Sequence, residues 1–278
     1  MEQAKVVEKF NALKRRGPLP WRGLIFIVVG LLFLGWLLNT PEGLLGKADA
    51  VGYAVCHRIE TRSFHLGERP IPLCARCSGM FLGAMLGLVY QGMLSSRRGG
   101  LPPRRVIMAL SLFVAAFAAD GINSFLHFFP GAPSLYEPHN WLRLATGTGM
   151  GLAIAAAIFP SFNQTVWRDW QAAPALNSLR SLGILLLLAV LLDLAILSEN
   201  PLVLYPLALA SAAGVLLLLS LVYCMAWLLV LRRENRFLNL AQLALPLTGG
   251  FGTAILQIAL LDLARYLLTG TWDGFHLG

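Results

Sequence analysis

The sequence predicts an all-α, polytopic integral membrane protein, on three observations. Of its 278 residues 57% are apolar and 13% charged, and the mean hydropathy is +0.67, outside the range of soluble globular chains. The apolar residues fall into runs close to the ~20 residues that a helix needs to cross a bilayer. The Lys and Arg residues gather in the connections between those runs. A formal net charge of +8 would suggest a nucleic-acid partner in a soluble domain. Here it marks topology, so the expected partner is the lipid bilayer and not nucleic acid.

Seven spans are expected, at Trp21 to Leu38, Ser78 to Leu94, Val106 to Phe129, His139 to Phe159, Leu179 to Leu197, Leu202 to Leu231 and Leu240 to Leu268. Pro201 and Pro206 blur the start of the sixth, which leaves six spans as the alternative. The first run follows a charged stretch and has no small-residue cleavage site close behind it, so it reads as a retained anchor. Four regions follow: a basic cytoplasmic tail at 1–20, an anchor and linker at 21–55, a core at 56–159, and a three-helix extension at 160–278.

Orientation follows from the basic residues. Lys5, Lys9, Lys14, Arg15, Arg16 and Arg22 precede the first span, Arg97, Arg98, Arg104 and Arg105 lie between the second and third, and Arg232, Arg233 and Arg236 lie between the sixth and seventh. These belong on the cytoplasmic side of the inner membrane of a prokaryote. The loop around residues 130–138 has no Lys or Arg, and the turn at Glu199 and Asn200 is acidic. Those belong outside, together with the loop from Cys56 to Cys77. That loop carries Arg58, Arg62, Arg69 and Arg76, more positive charge than an outer loop usually has, which implies local work for its arginines.

Three of the four cysteines sit in this loop, while Cys224 lies deep in the sixth span. The run Cys56-His57, Arg62-Ser63-Phe64, Gly67, Pro72, Cys74-Ala75-Arg76-Cys77, Gly79 and Gly83 continues through Asp120-Gly121 to Asn140, Arg143 and Thr146-Gly147. It resembles the signature of a family of predicted prokaryotic membrane proteins, a domain of unknown function. One departure is Asn123, where the pattern leads one to expect glutamine. The resemblance implies the class and marks positions; it implies no reaction.

Two chemistries suit the cysteines. A Cys-x-x-Cys pair places two sulfurs on one ion, and tetrahedral zinc takes further ligands from a separate segment. Cys56, His57, Cys74 and Cys77 are therefore the candidate ligands of a soft metal such as zinc, with His65, His127 and His139 as other sources of a fourth. Alternatively, a Cys-x-x-Cys beside cations has a stabilised thiolate and exchanges disulfides. Cys74 and Cys77 would then react beside Arg76, with Cys56 resolving and a quinone as electron acceptor. A single disulfide stapling an outer loop is the structural alternative.

Charges inside spans are costly enough to need a partner or a role. Asp120 lies in the outer half of the third span and Arg143 near the start of the fourth, so the two can pair as the floor of an outer site roofed by the cysteine loop, or Arg143 can reach outward to headgroups. Asp262 and Arg265, three apart on one helix, can neutralise each other. A transporter using Asp120, Asp193 and Asp262 is a third functional class, which the scarcity of ionisable residues in the inner halves of the spans argues against. Gly79, Gly83 and Gly87 in the second span, and Gly147 and Gly151 in the fourth, recur at the spacing that lets membrane helices approach closely. No nucleotide loop, nucleophile elbow, zinc-protease helix or internal repeat is present.

Overall fold

A computed structural model describes residues 20–129, 131 and 133–274; the basic tail expected at the cytoplasmic surface lies outside them, apart from its last residue. Helix α1 spans Pro20–Leu38 and α2 spans Gly43–Val55. The remaining helices are α3 (Ala75–Leu94), α4 (Arg104–Leu126), α5 (Asn140–Val166), α6 (Leu179–Leu197), α7 (Pro201–Val230) and α8 (Ala244–Thr269). Among the described residues, six of the eight α-helices are long and apolar enough to cross a membrane alone, and a seventh crossing results if the bent pair α1 and α2 counts as one span. The all-α, multi-pass class is the one expected.

The stretch expected as a linker contains helix α2. Pro41 interrupts the first helix because a residue before proline is pushed out of the α region, and Gly43 turns the chain at φ +76°. The two helices meet at 105°. Lys47 Nζ holds the bend by donating to the carbonyl and the hydroxyl of Thr40 at 2.9 and 3.1 Å. The sixth segment, uncertain around its prolines, is continuous. Asn200 Oδ1 caps it by accepting the Leu202 N–H at 3.0 Å, Pro201 sits in the first turn where no amide donor is needed, and Pro206 falls just inside the next turn.

The tightest packing is between α3 and α5, and glycines make it possible. A Cβ on Gly79 would lie 2.4 Å from Leu144 O and one on Gly83 2.6 Å from Thr148 O. From the other side, a Cβ on Gly147 would lie 2.2 Å from Arg76 O and one on Gly151 2.2 Å from Met80 O. The backbones therefore touch, which is how membrane helices gain dispersion energy where no hydrophobic difference from lipid exists. Helix α8 packs on α1, α2 and α7, so the C-terminal helices enclose the cysteine segment.

Connections gather at two ends. At the end that carries Arg22, the strand Arg98–Gly100 pairs in parallel with the strand Gln171–Pro174. There Arg97 pairs with Asp169 and donates to Leu238 O at 2.7 Å. The connections expected to be cytoplasmic thus share one end. At the other, the hairpin of strands His65–Leu66 and Arg69–Pro70 is pinned by the His65 amide to Glu199 Oε2 at 3.1 Å.

Candidate metal centre

The site begins where α2 stops. Its last turn leaves carbonyls without helical partners, and Arg265, reaching from α8, takes two of them: Nη1 donates to Tyr53 O at 2.6 Å and Cys56 O at 2.7 Å. The guanidinium also lies over the Tyr53 ring, 4.0 Å from its centroid. Cys56 is thereby fixed at the helix end. The chain then makes a sharp turn at Arg58, whose φ is +53°, passes through the hairpin and returns to Pro72. A Cβ on Gly52 would lie 2.0 Å from Pro72 O; only a glycine lets α2 and the returning segment approach so closely. Cys74 is the N-cap of α3, and Cys77 lies in its first turn.

The sulfurs of Cys56, Cys74 and Cys77 consequently lie within 4.8 Å of one another. Cys56 and Cys74 are buried and Cys77 is half-buried, and none is in a disulfide. The Cys74 amide donates to Cys56 Sγ at 3.4 Å. Hydrogen bonds from the Cys74 and Cys77 thiols pull the Cys56 thiol well below its ordinary pKa, against the opposing effect of burial. Cys74, which gives its proton toward Cys56 and is also buried, is pushed up to about 12. The Cys74 and Cys77 thiols thus favour the thiolate form of Cys56. The partial positive charge at the N-terminus of α3 adds to this.

His57 stands outside the sulfur group among the described residues, as do His65, His127 and His139. Its Nδ1 accepts the Ile59 amide at 3.0 Å, which turns the ring toward its own loop. Burial pushes His57 below its ordinary pKa, Arg62, Arg76 and Arg143 act the same way, and Cys56 opposes them. Cys224 is buried against Val166, Trp167 and Leu243 at the other end of the bundle, far from the cluster.

Beside the sulfurs lies a polar cluster, and here one expectation is corrected. Asp120, fully buried at 1% exposure, is paired with Arg76 and not with Arg143. Arg76 Nε donates to Asp120 Oδ2 at 3.2 Å, while its Nη2 reaches Asp120 O at 3.1 Å and Ser124 Oγ at 2.9 Å. The Tyr136 hydroxyl donates to Asp120 Oδ1 at 3.0 Å. Asn123 holds Tyr136 in place through bonds to Tyr136 O at 2.9 Å and from the Leu135 amide at 2.7 Å. Arg143 is buried at 6% exposure and donates from Nη1 to Asn140 Oδ1 at 2.9 Å; it does not reach outward. Arg62 donates to Ser124 O at 3.2 Å and lies 3.7 Å from the centroid of Phe128.

Three of the four loop arginines have acidic partners. Arg58 and Arg69 both pair with Asp49 of α2, and Arg76 pairs with Asp120. The three acids considered for transport each have a separate partner: Asp193 accepts from Thr148 Oγ1 at 2.6 Å and Asp262 from Trp36 Nε1 at 3.0 Å. Sequence reasoning placed Arg265 beside Asp262 and did not connect it with the cysteines. It also passed over Tyr136, in a short connection, and Asp49, in the helix read as a linker, with no local pattern to flag them.

Residues 56–157 match the model of a family described as Predicted membrane protein (DUF2085). The chain is 25% identical over 147 residues to an uncharacterized protein of Methanocaldococcus jannaschii, covering 53% of this chain and 88% of the relative. It is 29% identical over 106 residues to an uncharacterized protein of Methanothermobacter thermautotrophicus, covering 37% of this chain and 86% of that one. No solved structure matches it significantly. The match takes in all three clustered cysteines, together with Arg62, Arg76, Asp120, Tyr136 and Arg143, and stops short of Arg265.

Proposed function

We propose that this membrane protein holds a soft divalent metal, with zinc the best fit, on Cys56, Cys74 and Cys77 at the extracytoplasmic end of its helical bundle. The observation that carries the reading is the mutual closeness of three sulfurs, all within 4.8 Å. Around a tetrahedral zinc with bonds of ~2.3 Å, sulfurs lie about 3.8 Å apart, so the cluster needs only a small contraction. A disulfide uses two sulfurs and leaves the third without a role. Three protein ligands with a fourth position open is the pattern of zinc sites that act on a bound molecule, whereas closed four-ligand sites are structural. Bound metal would supply Lewis acidity or a metal-held thiolate at that position; the chain supplies the fixed sulfurs and the arginine-rich wall beside them.

The test is elemental analysis of the purified protein with thiol alkylation before and after chelation. Stoichiometric metal, protection of three thiols until chelation, and loss of metal on changing any one of the three cysteines to serine are expected. Metal-free protein whose alkylation pattern responds to a reductant or a quinone would favour disulfide exchange at Cys74 and Cys77 instead. Cysteine-accessibility mapping checks the sidedness: the cysteine loop and Arg97 should report opposite faces.

A further inference from the structure

We infer that the arginine cluster beside the sulfurs is a binding site for a phosphate monoester group, held between Arg143 and Arg62. Three guanidinium groups meet here, those of Arg62, Arg76 and Arg143, and Asp120 is the carboxylate among them. Its charge is taken by Arg76, which leaves two positive charges without an acidic partner. Buried charges persist only when paired or hydrogen-bonded. Arg143 is 6% exposed, the hydrogen bond of its guanidinium among the described residues runs to Asn140, and its Nε is buried with no partner there. Such a group is costly for stability alone and suits a site that awaits an anion.

Arg62 gives the same indication from the loop. Its contacts are a backbone carbonyl and the face of Phe128, and its pKa is pushed down to about 10 by burial and then by Arg143 and Arg76. The N-termini of α3 and α5 both begin at this level, adding the partial positive charge of two helix ends. The surplus of two charges selects the anion. A carboxylate carries one charge and is satisfied by a single arginine fork, whereas a phosphate monoester carries about −1.5 to −2 at neutral pH with three acceptor oxygens. A zinc ion on three thiolates would add one negative charge nearby and still leave the cluster positive. The inference stands on the arginines and does not require the metal.

The phosphate can come from a lipid or from solution. Phe125, Phe129, Leu135 and Trp141 ring this end with exposed apolar surface, as at a membrane interface, so a lipid phosphate is the favoured source. The test is binding to the purified, detergent-solubilised protein, followed by calorimetry and thermal unfolding. The probes are short-chain phosphatidic acid, inorganic phosphate and, as a carboxylate control, hexanoate. Saturable binding of phosphatidic acid is expected, weakened at least about tenfold in Arg143→Gln and in Arg62→Gln, the scale of one lost charge-assisted hydrogen bond. Arg143→Lys should recover part of it. Binding of inorganic phosphate without the lipid would assign a soluble source to the same site. Without ligand, Arg143→Gln should be no less stable than the wild type, because it removes an unpaired buried charge; a marked loss of stability would make the residue structural and overturn the inference. Binding of hexanoate alone, or of no probe, would overturn it as well. Metal content measured on the same variants keeps the two readings separate, since Arg143→Gln should retain metal and Cys56→Ser should retain phosphate binding.

Discussion

The pairing of Arg76 with Asp120 is the feature of the site whose energetics can be worked most directly. In Arg76→Gln a carboxylate at 1% exposure keeps the Tyr136 hydroxyl at 3.0 Å and a Thr146 hydroxyl at 3.4 Å but loses its counter-charge. Breaking a buried pair from one side costs about 3 to 5 kcal/mol in soluble proteins, whereas a neutral hydrogen bond inside a membrane averages only about 0.6 kcal/mol. Charge therefore dominates. Arg76 is itself partly open to solvent, with 19% of its side chain exposed, which points to the lower end, about 3 kcal/mol. Asp120→Asn keeps an acceptor for Tyr136 but leaves a third arginine uncompensated, at a similar cost. The double variant should then lose less than the sum, with a coupling of about 2 kcal/mol. The assay is reversible unfolding in mixed micelles with increasing denaturing detergent. A coupling of Asp120 with Arg143 larger than that with Arg76, or additivity for Arg76 and Asp120 within about 0.5 kcal/mol, would refute the pairing on which the description of the site rests.

Gly147→Ala puts a methyl group 2.2 Å from Arg76 O and should cost about 1 to 3 kcal/mol of stability by forcing α3 from α5. Gly121→Ala, whose nearest new neighbour is Arg76 Nη1 at 3.8 Å, should be tolerated in the same unfolding measurement. Arg265→Gln removes the clamp on the Tyr53 and Cys56 carbonyls and should weaken metal binding about 10- to 100-fold, the usual effect of losing a group that supports a ligand; competition with a chromophoric chelator would measure it, and unchanged affinity would detach α8 from the site. Metal loading should fall as pH falls. Thiols must shed protons to bind, and Cys74, pushed up to about 12 by its bond to Cys56 and by burial, holds its proton most firmly. Equilibrium dialysis over a pH series checks the sign, since loading that rises on acidification contradicts thiolate ligation.

Most of the helical framework was legible because hydropathy over span-length windows reports a solvent requirement and needs no tertiary information. The glycine contacts of α3 and α5 were legible for a related reason: a small-residue spacing of four has one geometrical use on a helix face. What escaped was set by contacts distant in sequence. Helix α2 contains Lys47, Asp49 and three glycines in 13 residues, which reads as a linker. It is a helix because Arg58 and Arg69 neutralise Asp49 and Lys47 is bound to the end of α1. Arg143 seemed the natural partner of Asp120 by depth in the membrane. Depth fixes only one coordinate, and Arg76, at a similar level on α3, is the one that faces Asp120.

The cysteines and the anion-seeking arginines come from the segment that matches the family, but Arg265, which fixes the Cys56 backbone, comes from a helix beyond it. Ligand identity and ligand placement are therefore carried by different parts of the chain. A residue that only holds carbonyls can be replaced by any other donor that reaches them, because carbonyls accept from many side chains. A sulfur bound to a soft metal has far fewer substitutes. Arg62 and Arg143 are closer to the sulfurs in this respect, since planar, permanently charged forks are not equivalently replaced even by lysine. The three sulfurs and these two arginines are thus the part of the site whose chemistry is least exchangeable, and the helices around them, α8 included, act as the frame that keeps the five groups at one end of the bundle.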